Sequence, residues 1–224
     1  MNIYIIFYVI LEMNFINAQK FDKGIVGKYF VEIEDTVSCQ KIAEVLGDLD
    51  NVGVNDKVVV FQTNINTEFG FKRELCIYKA INNSYKLWYK SNKIIGCDKA
   101  GGMIGDPFEK IYIKNKCIVI CQNGGDYNKW YSKNILRWQN EKWQLIGLTL
   151  KRIFPLNYVE IIDYNLSTEI IIYEKQWDGD NQYIKENIKK KYFLKLDSLP
   201  SLDEMSFEGR NKIQIPDSDI IFYF

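Results

Sequence analysis

The residues best spaced for chemistry lie between positions 47 and 56: Gly47-Asp48-Leu49-Asp50-Asn51-Val52-Gly53-Val54-Asn55-Asp56. The skeleton is D-x-D-x-x-G-x-x-D. Hard cations such as Ca²⁺ are held by oxygen donors, usually six to eight of them. A tight loop turns alternate side chains inward, and a glycine at its sixth position allows the sharp bend. The expected ligands are the carboxylates of Asp48, Asp50 and Asp56 and the main-chain carbonyl of Val54. No bidentate Glu closes the loop at position twelve, where an EF-hand has one and this chain has Val59.

The other chemistries are narrowed by what the chain lacks. It contains no histidine, which excludes Ser-His-Asp and Cys-His catalysis and histidine-based metal sites. The five cysteines are Cys39, Cys76, Cys97, Cys117 and Cys121. None forms a C-x-x-C pair, and they read best as small buried apolar residues. No catalytic residue is assigned. Paired carboxylates could still hydrolyse glycosides, with Asp106, Glu109, Asp126 and Glu160 available, and this is the alternative function. Lys+Arg and Asp+Glu are 29 each, so no general basic surface exists for nucleic acid, and none is expected as partner. Tyr127 and Trp130, beside a loop, are the aromatics expected to contact a protein or glycan partner.

The elements that must position these residues are strands. Aromatics make up 15% of the 224 residues, and aromatic and β-branched residues suit a pleated, half-buried surface. Runs of five to eight such residues alternate with short polar turns. Val58–Phe61 is a buried strand. Arg73–Ala80 and Tyr85–Tyr89 flank Asn82-Asn83 as a hairpin. Phe108–Ile113 and Cys117–Cys121 flank Asn115-Lys116, and Tyr131–Trp138 and Trp143–Leu150 form the clearest hairpin. Tyr158–Tyr164 and Thr168–Glu174 repeat the pattern. Residues 98–107 and 122–126 read as loops. Ile42, Val45 and Leu46 stand at helical spacing, which predicts a short helix over Ser38–Leu46. The fold class is therefore all-β, mainly antiparallel, with at most one or two short helices. It is expected as a single domain over 19–224 with a looser segment at 198–219.

Residues 3–11 are continuously apolar, too short to span a bilayer but of the length of a secretory h-region. Ala18 offers a small residue for cleavage, so residues 1–18 are expected to be a signal peptide. A periplasmic or secreted location follows, and no transmembrane segment is expected.

Two resemblances add to this reading. Gly47, Asp48, Asp50, Gly53 and Asp56, with the apolar strand after them, resemble the "GD-x-D-x-DG-x-x-D" loop of the FG-GAP/VCBS-type repeat of integrin-like β-propellers. That resemblance implies Ca²⁺ at the loop and a partly propeller-like arrangement. Val52 departs from the pattern, standing where the family carries Asp or Asn. Only one such loop is present, which argues against a complete multi-bladed propeller. Residues 101–175 carry Gly105-Asp106-Pro107-Phe108, Gly124-Gly125, Trp130, Arg137-Trp138-Gln139 and Trp143-Gln144-Leu145-Ile146-Gly147. This order resembles a family of exported bacterial proteins with GDPF, GG, W and LIG motifs and no assigned activity. Together the residues point to an exported, non-enzymatic binding protein with a degenerate calcium loop.

Overall fold

The computed structural model describes residues 39–178, 186–209 and 211–223. The expected signal peptide lies outside them. Four strands form one antiparallel meander, in the order β1 (Gln40–Gly47), β2 (Asp56–Thr67), β3 (Gly70–Ile81) and β4 (Ser84–Ser91). Seven more form a second: β5 (Phe108–Lys114), β6 (Cys117–Gly125), β7 (Lys129–Gln139), β8 (Lys142–Phe154), β9 (Tyr158–Asn165), β10 (Ile170–Trp177) and β11 (Ile188–Phe193). Their spatial order is their sequence order, set from β1 to β4 and from β5 to β10 by short connections, and neither sheet closes into a barrel. A final pair, β12 (Lys212–Gln214) and β13 (Ile221–Tyr223), docks the apolar C-terminal run.

Three of the turns are two-residue connections with both residues at positive φ: Asn82-Asn83, Asn115-Lys116 and Asn140-Glu141. This is the backbone whose twist matches a hairpin, and asparagine tolerates it better than most residues. The expected all-β, antiparallel class is what the chain adopts. The helix expected near residues 38–46 is not formed. Residues 40–47 are β1, bulged between Lys41 and Ala43 and paired with β2. Pairing against the buried Val58–Val60 run prevails over a weak local spacing signal. Among the described residues the one helical piece is a 3-10 turn at Gly102–Ile104. The loop expected from residue 122 also starts later, because β6 continues to Gly125.

One apolar core joins the two meanders. The four-stranded sheet contributes Val58, Val60, Leu75 and Ile77, and the seven-stranded sheet Ile118, Ile120, Leu136, Leu145 and Leu148. Trp88 on β4 meets Trp138 and Trp143 across the seam, at ring-centroid distances of 4.8 and 5.1 Å. Trp138 and Trp143 are themselves partners across the β7–β8 hairpin. Cys76, Cys117 and Cys121 are buried and unbridged, as expected of small apolar residues, whereas Cys97 is half-buried and Cys39, just ahead of β1, is exposed, against that expectation. At the end of β1, a Cβ on Gly47 would lie 2.7 Å from the Ile113 side chain. Glycine thus lets β1 run close against β5, and the acidic loop leaves β1 at the junction of the sheets.

Candidate functional site

The loop between β1 and β2 is organised by its own carboxylates. Asp48 Oδ1 accepts the backbone N–H groups of Asn51 and Val52 at 2.7 and 3.2 Å, and Oδ2 accepts that of Gly53 at 3.0 Å. Asn51 (φ 68°) and Gly53 (φ 80°) take the left-handed backbone that this wrap requires. Asp56, at 0% exposure, accepts the N–H groups of Leu49 and Ala80, both at 3.0 Å. It therefore fastens the start of the loop to the end of β3. Lys116, in the β5–β6 turn, donates to Asn51 Oδ1 at 2.5 Å and ties the loop tip to the larger sheet.

The result brings Asp48, Asp50 and Asp56 together, with one ligand oxygen of each within 4.8 Å of the others. Asp50 is the carboxylate left for other work. Its Oδ1 is buried and accepts no hydrogen bond from the protein. Its Oδ2 lies 2.5 Å from Lys79 Nζ, an ammonium that also sits 4.9 Å from the centre of the Trp88 ring. Lys79 thus places an ammonium against the acidic cluster. Two of the carboxyls are perturbed in opposite senses. Desolvation pushes Asp48 up, but the N–H groups of Gly53, Asn51 and Val52, helped by Lys116, outweigh it and hold the carboxyl below its usual range. Burial raises Asp56; the Ala80 and Leu49 N–H groups only partly offset this, and the Asp50 charge adds to it.

This donor set fits a hard divalent cation in kind. Each carboxylate oxygen has two lone pairs, so Asp48 Oδ2 and both Asp56 oxygens, which hold one backbone N–H group each, keep further acceptor capacity, whereas Asp48 Oδ1, which holds two, does not. Val52 points into solvent and brings no ligand to the fifth position. Val54, whose carbonyl was expected as a donor, is also exposed at the loop tip. Lys79 was not foreseen in the sequence, because β2–β3 pairing brings it to the loop from 29 positions beyond Asp50.

The four carboxylates considered for hydrolysis are spread over other tasks. Asp106 is clamped by Arg73 at 2.5 and 2.6 Å. Glu160 pairs with Arg152 at 2.7 Å and accepts the Tyr173 hydroxyl at 2.9 Å. Asp126 accepts the Met103 N–H at 2.7 Å and holds the glycine-rich loop down. Glu109 pairs with Lys110 at 2.8 Å.

No protein-family model, curated protein or solved structure matches the chain. Among the described residues, no helix is long and apolar enough to cross a membrane.

The two aromatics expected at a partner surface differ in setting. Tyr127 is 64% exposed at the β6–β7 turn. Trp130 is half-buried instead. It packs on Gly124, where a Cβ would come within 2.5 Å of the indole, and meets Phe207 edge-on at 5.8 Å. Behind it lies a cavity of about 400 Å³ between the seven-stranded sheet and the C-terminal segment.

Proposed function

We propose that the chain is a non-enzymatic, exported binding protein whose β1–β2 loop takes Ca²⁺ as a structural aid. The observation that carries the reading is the convergence of Asp48, Asp50 and Asp56, with Asp50 Oδ1 buried and free of any protein donor. A divalent cation there would satisfy that oxygen and offset the repulsion that the Asp50 charge adds to the burial of Asp56. The three carboxylates fall short of a full ligand sphere, and Lys79 competes for Asp50. The site is accordingly of the weak class that suits extracellular modules, with Kd of about 10⁻⁴–10⁻³ M. The apolar run at residues 3–11 supports a setting where such affinity suffices.

The test is thermal unfolding in chelator and in rising Ca²⁺. A ligand that binds only the native state stabilises it by about 2.7 kcal/mol at a hundredfold excess over Kd. The apparent melting temperature should climb with Ca²⁺, and Asp50→Asn should abolish the climb. A native chain indifferent to 10⁻² M Ca²⁺, on the order of ten times the weakest extracellular Kd, would leave the loop as a turn that serves folding alone.

A further inference from the structure

One row of the seven-stranded sheet breaks its own pattern. Pairing aligns Ile120, Asn134, Leu148, Tyr164 and Ile171 across β6 to β10. All five are buried, and the Tyr164 hydroxyl donates a hydrogen bond to the Leu194 carbonyl at 2.7 Å. Asn134 is 8% exposed, and its Oδ1 is buried with no donor from the protein. An amide in an apolar row costs stability unless something satisfies it. Asn134 lines the cavity behind Trp130.

Strand alternation tells which side chains enter that space. Trp130 and Ser132 share the face of Asn134, and their cross-strand partners Arg152 and Leu150 share it too. Tyr131 and Lys151 also border the cavity, but they are offset by one residue, and strand alternation turns their side chains to the other face, where the Tyr131 hydroxyl meets Cys121. The roof is Met205, Phe207 and Phe222 from the C-terminal segment. The wall is therefore mostly apolar and aromatic. Its polar residues are largely committed. Gln122 donates to the Ile94 carbonyl at 3.0 Å and accepts the Gly96 N–H at 2.9 Å. Arg152 is paired with Glu160, and Glu208 has a partner of its own. The acceptor left buried without a protein donor is Asn134 Oδ1, and Ser132, Trp130, Ser206 and Tyr223 add polar groups at the lining.

We propose that this cavity is a binding site for a small uncharged ring compound carrying one hydrogen-bond donor, received by Asn134 Oδ1. A volume of about 400 Å³ lies within the usual range for small-molecule sites, roughly 300–1,000 Å³. An ionic ligand finds no unpaired opposite charge on the inward face. A sugar, with a hydroxyl on nearly every carbon, meets a wall that is mostly apolar and aromatic, and each hydroxyl left unmet would be costly. A phenol or indole matches both the aromatic wall and the single acceptor. The proposal rests on the reading of the chain as a binding protein but not on the cation loop.

Phenol, toluene and glucose are the probes, titrated against the full chain by NMR and by quenching of tryptophan fluorescence. Phenol and toluene share a ring and differ in the donor. The native chain should bind phenol roughly tenfold more tightly than toluene, the factor expected for meeting a buried acceptor, and should ignore glucose. Asn134→Leu, which completes the apolar row, should keep toluene binding and erase the preference. Leu150→Trp, which fills the space from the neighbouring row, should abolish both. Equal affinities for phenol and toluene in the native chain, tighter binding of glucose, or no binding of either ring at millimolar concentration would each overturn the proposal. If Ca²⁺ still stabilised the chain in that last case, the cation reading would stand while the ring site fell.

Discussion

At the scale of single residues, the acidic loop is two devices in one. Asp48 and Asp56 fold it, and Asp50 is the group whose Oδ1 folding leaves without a donor. The two folding carboxylates should respond differently to substitution. Asp56 receives an N–H group at each oxygen, so Asp56→Asn turns an NH₂ against one of those donors. With Asp56 fully buried, the loss should be about 1–3 kcal/mol in urea denaturation, more than for Asp48→Asn at the exposed loop tip. A smaller loss at Asp56 than at Asp48 would show that the loop is not anchored through β3. Their pH signatures run in opposite directions. Asp48 is depressed in the folded chain, so its contribution is present above the unfolded carboxyl value and is lost as pH falls through the depressed one. Asp56 is raised, so its contribution is complete below the unfolded value and is lost as pH rises through the raised one. The stability gap between the native chain and Asp48→Asn should therefore close on acidification below about pH 4, near the ordinary Asp value. Lys79→Met removes the competing ammonium from Asp50 and should sharpen the Ca²⁺ dependence of the melting temperature. Weaker Ca²⁺ dependence in that variant would make Lys79 a helper of the site instead of its rival. The convergence of the acids was legible in the sequence because the fold of a short loop is local. Lys79 was not, since only the register of β2 on β3 decides which lysine reaches the loop.

At the scale of elements, legibility followed the reach of the forces involved. Hairpins were readable because a two-residue turn carries its own chemistry: Asn82-Asn83 and Asn115-Lys116 mark turns without reference to anything distant. The segment 40–47 was misread because β1 owes its conformation to β2, and Ile42, Val45 and Leu46 carry no local sign of that partner. The Gln139–Lys142 turn gives a direct measure of turn strain. Glu141 stands at φ 60°, a backbone that costs a non-glycine residue about 1–2 kcal/mol. Glycine relieves this and gives back about 0.5–1 kcal/mol in unfolded-chain entropy. Glu141→Gly should thus raise stability by about 0.5–1 kcal/mol, read as a higher denaturation midpoint. Gly124 tests the opposite case. It needs no special backbone, but a Cβ there would strike the Trp130 indole at 2.5 Å. Gly124→Ala should cost about 1–3 kcal/mol by overpacking and shift the Trp130 emission. An unchanged spectrum would mean that Trp130 is not seated on β6.

For the whole molecule, the question is what makes two separate meanders behave as one body. Apolar contact across the seam supplies most of the attraction, but it does not fix how one sheet is turned on the other. Arg73 on β3 does this by crossing to Asp106, just ahead of β5, with a two-point clamp. Asp106 also accepts the Phe108 N–H at 2.9 Å, which sets the chain's path into β5. The Gly105-Asp106-Pro107-Phe108 segment, noticeable in the sequence only as a motif, thereby acquires a role that depends on a residue 33 positions earlier. The two ends of the clamp are unequal. The Arg73 side chain is 2% exposed and its Nε has no partner, whereas that of Asp106 is 46% exposed. Removing the acid strands a buried guanidinium, while removing the arginine leaves a carboxylate that water can reach. Breaking a fully buried pair costs about 3–5 kcal/mol, and the exposure of Asp106 should bring Asp106→Asn to about 2–3 kcal/mol on that scale. Arg73→Leu places an apolar side chain beside Phe108 and should cost about 1 kcal/mol or less, since hydrophobic replacement of such a pair is often neutral. Urea unfolding of both variants would check the order. A larger loss for Arg73→Leu would mean that the clamp holds the sheets by net attraction, and that Arg73 does more than accept a charge it cannot do without.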